Sequence, residues 1–242
     1  MTSLTNRIAV VTGATSGIGA ATAGALTAEG ARVAAFGRRE DRLKDLDALP
    51  IAVDVQDRDA VHAAADRVRA ELGRPDLVVA NAGVMLGAPF EEADPAEWDA
   101  MIGTNVTGLL HTARAFVDDL LAAAAEGRPA DLVLVGSVGG HQTFVNYGVY
   151  CATKAAVAHL TRNLRAELGP RGVRVKNVEP GMVSTELGDG MRDTSVRDSL
   201  NQWRAGLETL RSEDIAAGIA WAAAAPARMN VAEMIIVPTT QG

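Results

Sequence analysis

The sequence predicts an α/β fold, a single domain whose parallel sheet is buried between two layers of helices. Three observations carry this. Short β-rich apolar runs alternate with longer Ala-rich helical stretches along the whole chain, as βαβ units do. The runs are nearly continuously apolar, which is how strands covered on both faces read. The chain has 242 residues, 48 % of them hydrophobic but only 4 % aromatic, enough for one sizeable core of small side chains.

The strand runs fall at 7–12, 32–36, 51–53, 77–80, 131–135, 174–178 and 234–237. Helical periodicity lies between them at 20–29, 57–72, 97–125 and 150–168, the last closed by the breakers Gly169 and Pro170. No Pro/Gly/Ser-rich linker or repeat divides the chain. Ala122–Ala125 and Ala222–Ala225 are good helix formers rather than low-complexity tracts. Residues 187–206 break the rhythm, being polar and glycine-bearing between the sixth strand and the last helix. Because ligands of such sheets bind beyond the strand C-termini, this segment is expected to be a lid over a site rather than a plain surface connection.

Composition narrows the function classes. The net charge is −7 with no basic run, which argues against a nucleic-acid partner. Cys151 is the only cysteine, so neither an intrachain disulfide nor a thiolate metal cluster is available. The first seven residues are short and polar, and no apolar run reaches membrane-spanning length, so a soluble cytoplasmic protein is expected.

The first chemistry-bearing motif is Thr12-Gly13-Ala14-Thr15-Ser16-Gly17-Ile18-Gly19, placed after the first strand and opening the first helix. Its glycines let the backbone approach a pyrophosphate, and the helix start offers free N–H groups and a positive dipole end. The spacing is G-x-x-x-G-x-G rather than G-x-G-x-x-G. A tight glycine turn would explain it alone, but its position between strand and helix favours a dinucleotide. The second strand ends Ala35-Phe36-Gly37-Arg38-Arg39. An NAD enzyme usually has an acid near Gly37 to hold the adenosine ribose 2′-OH. Here two arginines follow instead, and guanidinium groups suit a 2′-phosphate. Ser16 is placed to add a hydroxyl. NADP is the favoured cofactor, the alternative being that both arginines are merely solvated.

The second motif is Tyr150-Cys151-Ala152-Thr153-Lys154, which sets Tyr150 and Lys154 one helical turn apart. A free tyrosine, with a pKa of about 10, is a poor acid–base group near neutrality. A neighbouring ammonium is expected to lower that pKa. Ser137 ends the fifth strand thirteen residues earlier, and Asn105 sits inside an otherwise good helix. Asn81-Ala82-Gly83 follows the fourth strand. Each element alone has an ordinary structural explanation.

Together and in this order, with Asp54 and Pro180-Gly181…Thr185, these residues resemble the short-chain dehydrogenase/reductase family over essentially the whole chain. The resemblance implies a Rossmann-type, doubly wound sheet of seven strands in the order 3-2-1-4-5-6-7. It implies that Tyr150 donates a proton to a carbonyl oxygen as hydride arrives from the nicotinamide, with Ser137 hydrogen-bonding the same oxygen. It gives Lys154 the nicotinamide ribose and Tyr150 to tune, and Asn105 a water that relays protons. The dinucleotide would be held by Gly13, Thr15, Ser16, Gly17, Ile18, Gly19, Arg38, Arg39, Asp54, Val55, Asn81, Ala82 and Gly83. Pro180, Gly181, Val183 and Thr185 would flank the nicotinamide. No metal is expected. The C-terminal stretch, Ser212-Glu213-Asp214-Ile215-Ala216, then Ala225-Pro226 and Pro238-Thr239-Thr240-Gln241, resembles an NADP-dependent subgroup. That subgroup includes 3-hydroxy acid or serine dehydrogenases and clavulaldehyde-type reductases.

His62, His111 and His159 have no partners at ligand spacing and read as structural or solvated; Cys151 reads as a packing residue. His141, Phe144, Tyr147, Met182, Leu187, Met191 and Trp203 are candidates for the substrate wall, with Arg192, Arg197 and Arg204 as candidate carboxylate clamps. Helices 97–125 and 150–168 carry apolar residues on more than one face. By resemblance such helices pair between subunits, which implies a homotetramer or a homodimer. The expected function is reduction of a ketone or aldehyde by NADPH. The alternatives are alcohol or 3-hydroxy acid oxidation at the same site, and a non-catalytic dinucleotide sensor, which the retained Tyr150 and Lys154 disfavour.

Overall fold

The computed structural model describes residues 3–241. Seven strands, β1 Ile8–Thr12, β2 Arg32–Gly37, β3 Leu49–Ala52, β4 Leu77–Ala80, β5 Ala130–Val135, β6 Val173–Pro180 and β7 Glu233–Ile236, form one sheet. Their order is β3-β2-β1-β4-β5-β6-β7 and every pairing is parallel. The helices are α1 Gly17–Ala28, α2 Glu40–Leu43, α3 Arg58–Glu71, α4 Pro95–Ile102, α5 Leu109–Ala125, α6 Gly148–Leu168, α7 Thr194–Ala205 and α8 Ser212–Ala223. The architecture is the Rossmann-like, doubly wound sheet that the sequence predicts.

Alternation of side chains along the strands divides the core into two layers. Val10, Ala34, Val78 and Leu132 meet α3, α5 and α6, while Ala9, Val11, Ala35, Val79 and Val133 meet α1 and α8. Both faces are covered, so the strands need apolar residues at every position. At the N-terminal edge of the sheet the Asp131 carboxylate lies fully buried among cations. It accepts from Arg7 Nη2 at 2.8 Å, Arg174 Nη2 at 2.7 Å and Lys176 Nζ at 2.6 Å. Those charges hold the carboxyl below its usual range although burial alone would push it up.

Two local departures from the sequence reading bear on the site. The stretch expected as one helix over 97–125 is interrupted by a π-helical turn at Gly103–Gly108 between α4 and α5. The interruption holds Gly103, Thr104, Asn105, Thr107 and Gly108, all weak helix formers. The polar segment 187–206 carries helix α7, capped by Asp193, whose carboxylate accepts from the N–H groups of Ser195 and Val196. Val196 and Leu200, four apart, bury against Met182 and Met191 in a small separate core. That i, i+4 pair was a legible signal hidden by the polar composition around it.

Candidate active site

The C-terminal ends of the central strands open into a cavity of about 700 Å³. It straddles β1 and β4, where successive connections leave the sheet in opposite directions and leave a crevice. At one end lies the glycine turn after β1. Gly13 has φ +69°, and a Cβ there would stand 2.9 Å from the Ala82 Cα. A Cβ on Gly19 would stand 2.2 Å from the Gly13 carbonyl oxygen. Only glycine lets these backbones approach so closely. Gly17 opens α1, and no side chain caps that helix start. The Thr12 hydroxyl accepts from the N–H groups of Asn81 and Ala82, while Asn81 Nδ2 donates to the Thr12 carbonyl at 2.9 Å. These bonds tie the ends of β1 and β4 together.

The end of β2 forms a cationic corner. A Cβ on Gly37 would lie 2.4 Å from Thr15 Cγ2, so a side chain at the position expected to carry an acid in NAD enzymes would require Thr15 to shift. Arg39 turns back over the glycine turn, and its Nη2 donates to Thr15 Oγ1 at 3.0 Å and Ser16 Oγ at 2.9 Å. Arg39 Nη1 donates to Glu186 Oε2 at 2.9 Å, and Arg42 Nη1 donates to Glu186 Oε1 at 2.5 Å. Arg38, more exposed than Arg39, also lines the cavity, with its guanidinium 4.0 Å from the Asp54 carboxylate. Arg42 and Glu186 escaped the sequence reading. Arg42 had a signal, lying three residues after Arg39 at the start of a helical turn. Glu186 had none, because only the fold brings it to β2.

At the other end lie Ser137, Tyr150 and Lys154. Ser137 follows β5 in extended conformation, and its Oγ accepts from the Gly139 N–H at 3.0 Å, which fixes the side chain. Tyr150 and Lys154 share the buried face of α6. Lys154 Nζ donates to the Val135 carbonyl at 2.9 Å and lies 5.9 Å from the Tyr150 ring centroid. The ammonium therefore approaches the ring without bonding the hydroxyl. Burial pushes the Tyr150 phenol up to about 12, opposed by a hydrogen bond with Ser137. Burial also lowers Lys154 to about 8. The lowering of Tyr150 by Lys154 expected from the sequence is therefore not found: desolvation dominates, and the phenol stays neutral.

Asn105 lies beneath these groups and is 1 % exposed. Its Oδ1 accepts from the Val84 N–H at 2.8 Å, and its Nδ2 donates to the Val84 carbonyl at 2.9 Å and to Thr153 Oγ1 at 3.1 Å. The side chain is fully engaged in joining the π-turn, the chain after β4, and α6. That accounts for an asparagine inside a helix.

Of the remaining candidates, Thr15, Ser16, Gly17, Ile18, Val55, Asn81, Ala82, Gly83, Pro180, Gly181, Val183 and Thr185 line the cavity, as do Gly13, Arg38, Arg39 and Asp54. Gly19 acts from behind the lining. Phe144, Tyr147, Met182, Leu187 and Trp203 form the wall near Tyr150, with the Phe144 and Trp203 rings 5.8 Å apart. Met85, Leu86 and Leu200, not singled out by the sequence, complete it. Two proposed wall residues lie elsewhere. His141 Nε2 contacts both carboxylate oxygens of buried Glu179, at 2.7 and 2.8 Å, which turns the ring away from the cavity. Met191 is 2 % exposed and fills the small core under α7. Among the clamp candidates only Arg204 lines the cavity, where it donates to the Leu187 carbonyl. Arg192 pairs with Asp94.

Residues 7–195 match the model of the short chain dehydrogenase family. An uncharacterized oxidoreductase of Staphylococcus aureus (strain MRSA252) is 34% identical over 245 residues, covering 98% of this chain and all of the relative. The chain belongs to the short-chain dehydrogenase family. Among solved structures it is similar to the closed form of a serine dehydrogenase complexed with NADP+, with TM-score 0.87 and 32% identity over 97% of this chain and 96% of that one. It is also similar to a 3-ketoacyl-(acyl-carrier-protein) reductase of Brucella melitensis complexed with NADH, with TM-score 0.86 and 27% identity over 97% and 98% of the two chains. The protein is therefore an oxidoreductase of this family. Among the described residues, no helix is long and apolar enough to cross a membrane.

Proposed function

We propose that the protein is an NADPH-dependent carbonyl reductase in which Tyr150 protonates the carbonyl oxygen of a ketone or aldehyde. The observation that carries the reading is the meeting of Ser137, Tyr150 and Lys154 in the same cavity as the glycine turn. The residues fit a dinucleotide: Gly13 and Gly19 let the turn pack tightly against the end of β4 and against itself, and an uncapped helix start faces the cavity. They fit the 2′-phosphate form in particular. Gly37 leaves no acid to repel it, and Arg39 and Arg42 already grip a carboxylate at that corner. The NADP+ complex of the similar serine dehydrogenase supports this choice, and the NADH complex of the similar reductase makes it one to test.

When bound, the nicotinamide supplies the hydride. The neutral phenol of Tyr150 gives its proton to the oxygen on which negative charge develops. The Ser137 hydroxyl, fixed by the Gly139 N–H and hydrogen-bonded with Tyr150, stands beside the phenol and turns its O–H to that same oxygen when the carbonyl arrives. Lys154 holds the positive charge beside Tyr150 and is the source from which the phenolate is reprotonated. Asn105 keeps α6 in register with the chain after β4 and so fixes the position of Tyr150. The apolar wall of Phe144, Tyr147, Met182, Leu187 and Trp203 favours a carbonyl compound with an apolar flank, and 187–206 covers it as a lid. A homotetramer or homodimer is part of the same reading, and light scattering on the purified protein checks it.

A panel of ketones and aldehydes followed by NADPH absorbance tests the reading. Tyr150→Phe is expected to abolish turnover while NADPH still binds. Unchanged turnover would overturn the assignment.

A further inference from the structure

The cationic corner at β2 already holds an anion, and that anion is part of the chain. Arg39 spends Nε and Nη2 on the Thr15 and Ser16 hydroxyls, which leaves Nη1 as its remaining end; Nη1 goes to Glu186 at 2.9 Å. Arg42 gives its Nη1 to the other oxygen of the same carboxylate at 2.5 Å. Glu186 is thereby held between two guanidinium groups, and their hydrogen bonds bring its carboxyl down to about 2. It lies 144 and 147 residues from those arginines in sequence, on the loop between β6 and α7.

We propose that Glu186 is a specificity-determining residue, an internal competitor that occupies the seat of the NADPH 2′-phosphate and must leave Arg39 and Arg42 when that phosphate binds. The inference rests on the NADPH reading above and deepens it. A carboxylate and a phosphate monoester recognise a guanidinium through the same planar fork of donors. A phosphate bringing about two negative charges to a corner whose two guanidinium charges Glu186 already half neutralises would meet the carboxylate's repulsion unless it moved away. The exchange is feasible because all three side chains are roughly half exposed. Exposed pairs of this kind are weak and reversible. A cofactor without the 2′-phosphate has nothing with which to displace Glu186. The same carboxylate then discriminates by cost: it taxes the phosphorylated cofactor and leaves the other untouched.

Titration calorimetry with adenosine 2′,5′-bisphosphate and 5′-AMP separates the possibilities, since both probes lack the nicotinamide and differ in the phosphate. In the unsubstituted protein the bisphosphate is expected to bind more tightly. Glu186→Gln is expected to tighten the bisphosphate by about three- to tenfold, as removal of two exposed pairs allows, and to leave 5′-AMP unchanged. Glu186→Asp, which keeps the charge, is expected to gain less than Glu186→Gln. If Glu186→Gln leaves the bisphosphate unchanged or weakens it while the unsubstituted protein still prefers it, the competitor role is overturned and the NADPH reading stands. No preference for the bisphosphate in the unsubstituted protein would overturn both.

Discussion

Lys154 reaches past Tyr150 to the end of β5. Its ammonium donates to the Val135 carbonyl at 2.9 Å and lies 5.9 Å from the Tyr150 ring centroid, with burial holding it at about 8. Tyr150 itself is pushed up to about 12, so through neutral pH it is the protonated partner. Reduction is expected to proceed at a constant rate below pH about 8 and to fall above it, as Lys154 loses the proton that restores Tyr150. A pH–rate profile with saturating NADPH and carbonyl substrate checks this; a rate that rises through that range would contradict it.

The same burial sets a stability signature. Unfolded, Lys154 has a pKa of about 10.4. Between about 8 and that value the unfolded chain keeps a proton that the folded chain has released, so stability rises with pH across that window. Below it both states are protonated and the folded chain carries the full cost of a buried ammonium. Lys154→Met is expected to be inactive yet more stable at neutral pH, by on the order of 2 kcal/mol, with the gain shrinking toward pH 10. Urea unfolding at several pH values measures it.

Asn105 satisfies both backbone groups of Val84. Asn105→Ala would leave the part-buried N–H and carbonyl of Val84 without those partners and is expected to cost about 1–3 kcal/mol in all. Activity should fall further than stability, because the shift passes through Thr153 to α6 and Tyr150. Thermal unfolding compared with turnover separates the two effects.

At the β2 corner, Arg39→Ala is expected to weaken NADPH by about ten- to hundredfold, the size of a charged hydrogen-bonded contact, while NADH changes little. Gly37→Asp adds a charge where a Cβ would already press on Thr15 at 2.4 Å, and should weaken NADPH at least as much. Cofactor titrations by fluorescence read both.

Asp131 is the hub of the buried charges at the opposite edge of the sheet. Asp131→Ala would leave Arg7, Arg174 and Lys176 buried without their shared carboxylate and is expected to destabilise the protein by about 3–5 kcal/mol. In the unsubstituted protein the contribution of Asp131 is present above the ordinary carboxylate range. It is lost as pH falls through the lowered folded value. Acid unfolding followed by circular dichroism tests the sign.

The sequence by itself determined the layered α/β fold, the order of its elements, the glycine turn and the helical spacing of Tyr150 and Lys154. The fold, the glycine turn and the Tyr150–Lys154 spacing were legible because they rest on local chemistry: apolar runs need two covered faces, helix periodicity sets Tyr150 over Lys154, and glycine is demanded where backbones touch. Asn105 and Ser137 were singled out only through the ordered resemblance to the family. Helix α7 and the π-turn were harder, since polar composition concealed one and a run of helical neighbours concealed the other. Only the tertiary structure decided which charges meet. It turned His141 toward Glu179 and Met191 into a core, brought Arg42 and Glu186 together across the chain, and buried Lys154 and Tyr150 deeply enough for desolvation to push the phenol up and the ammonium down. Pairing across long sequence separations and the loss of water around a group depend on the whole packed fold, and no local pattern carries either.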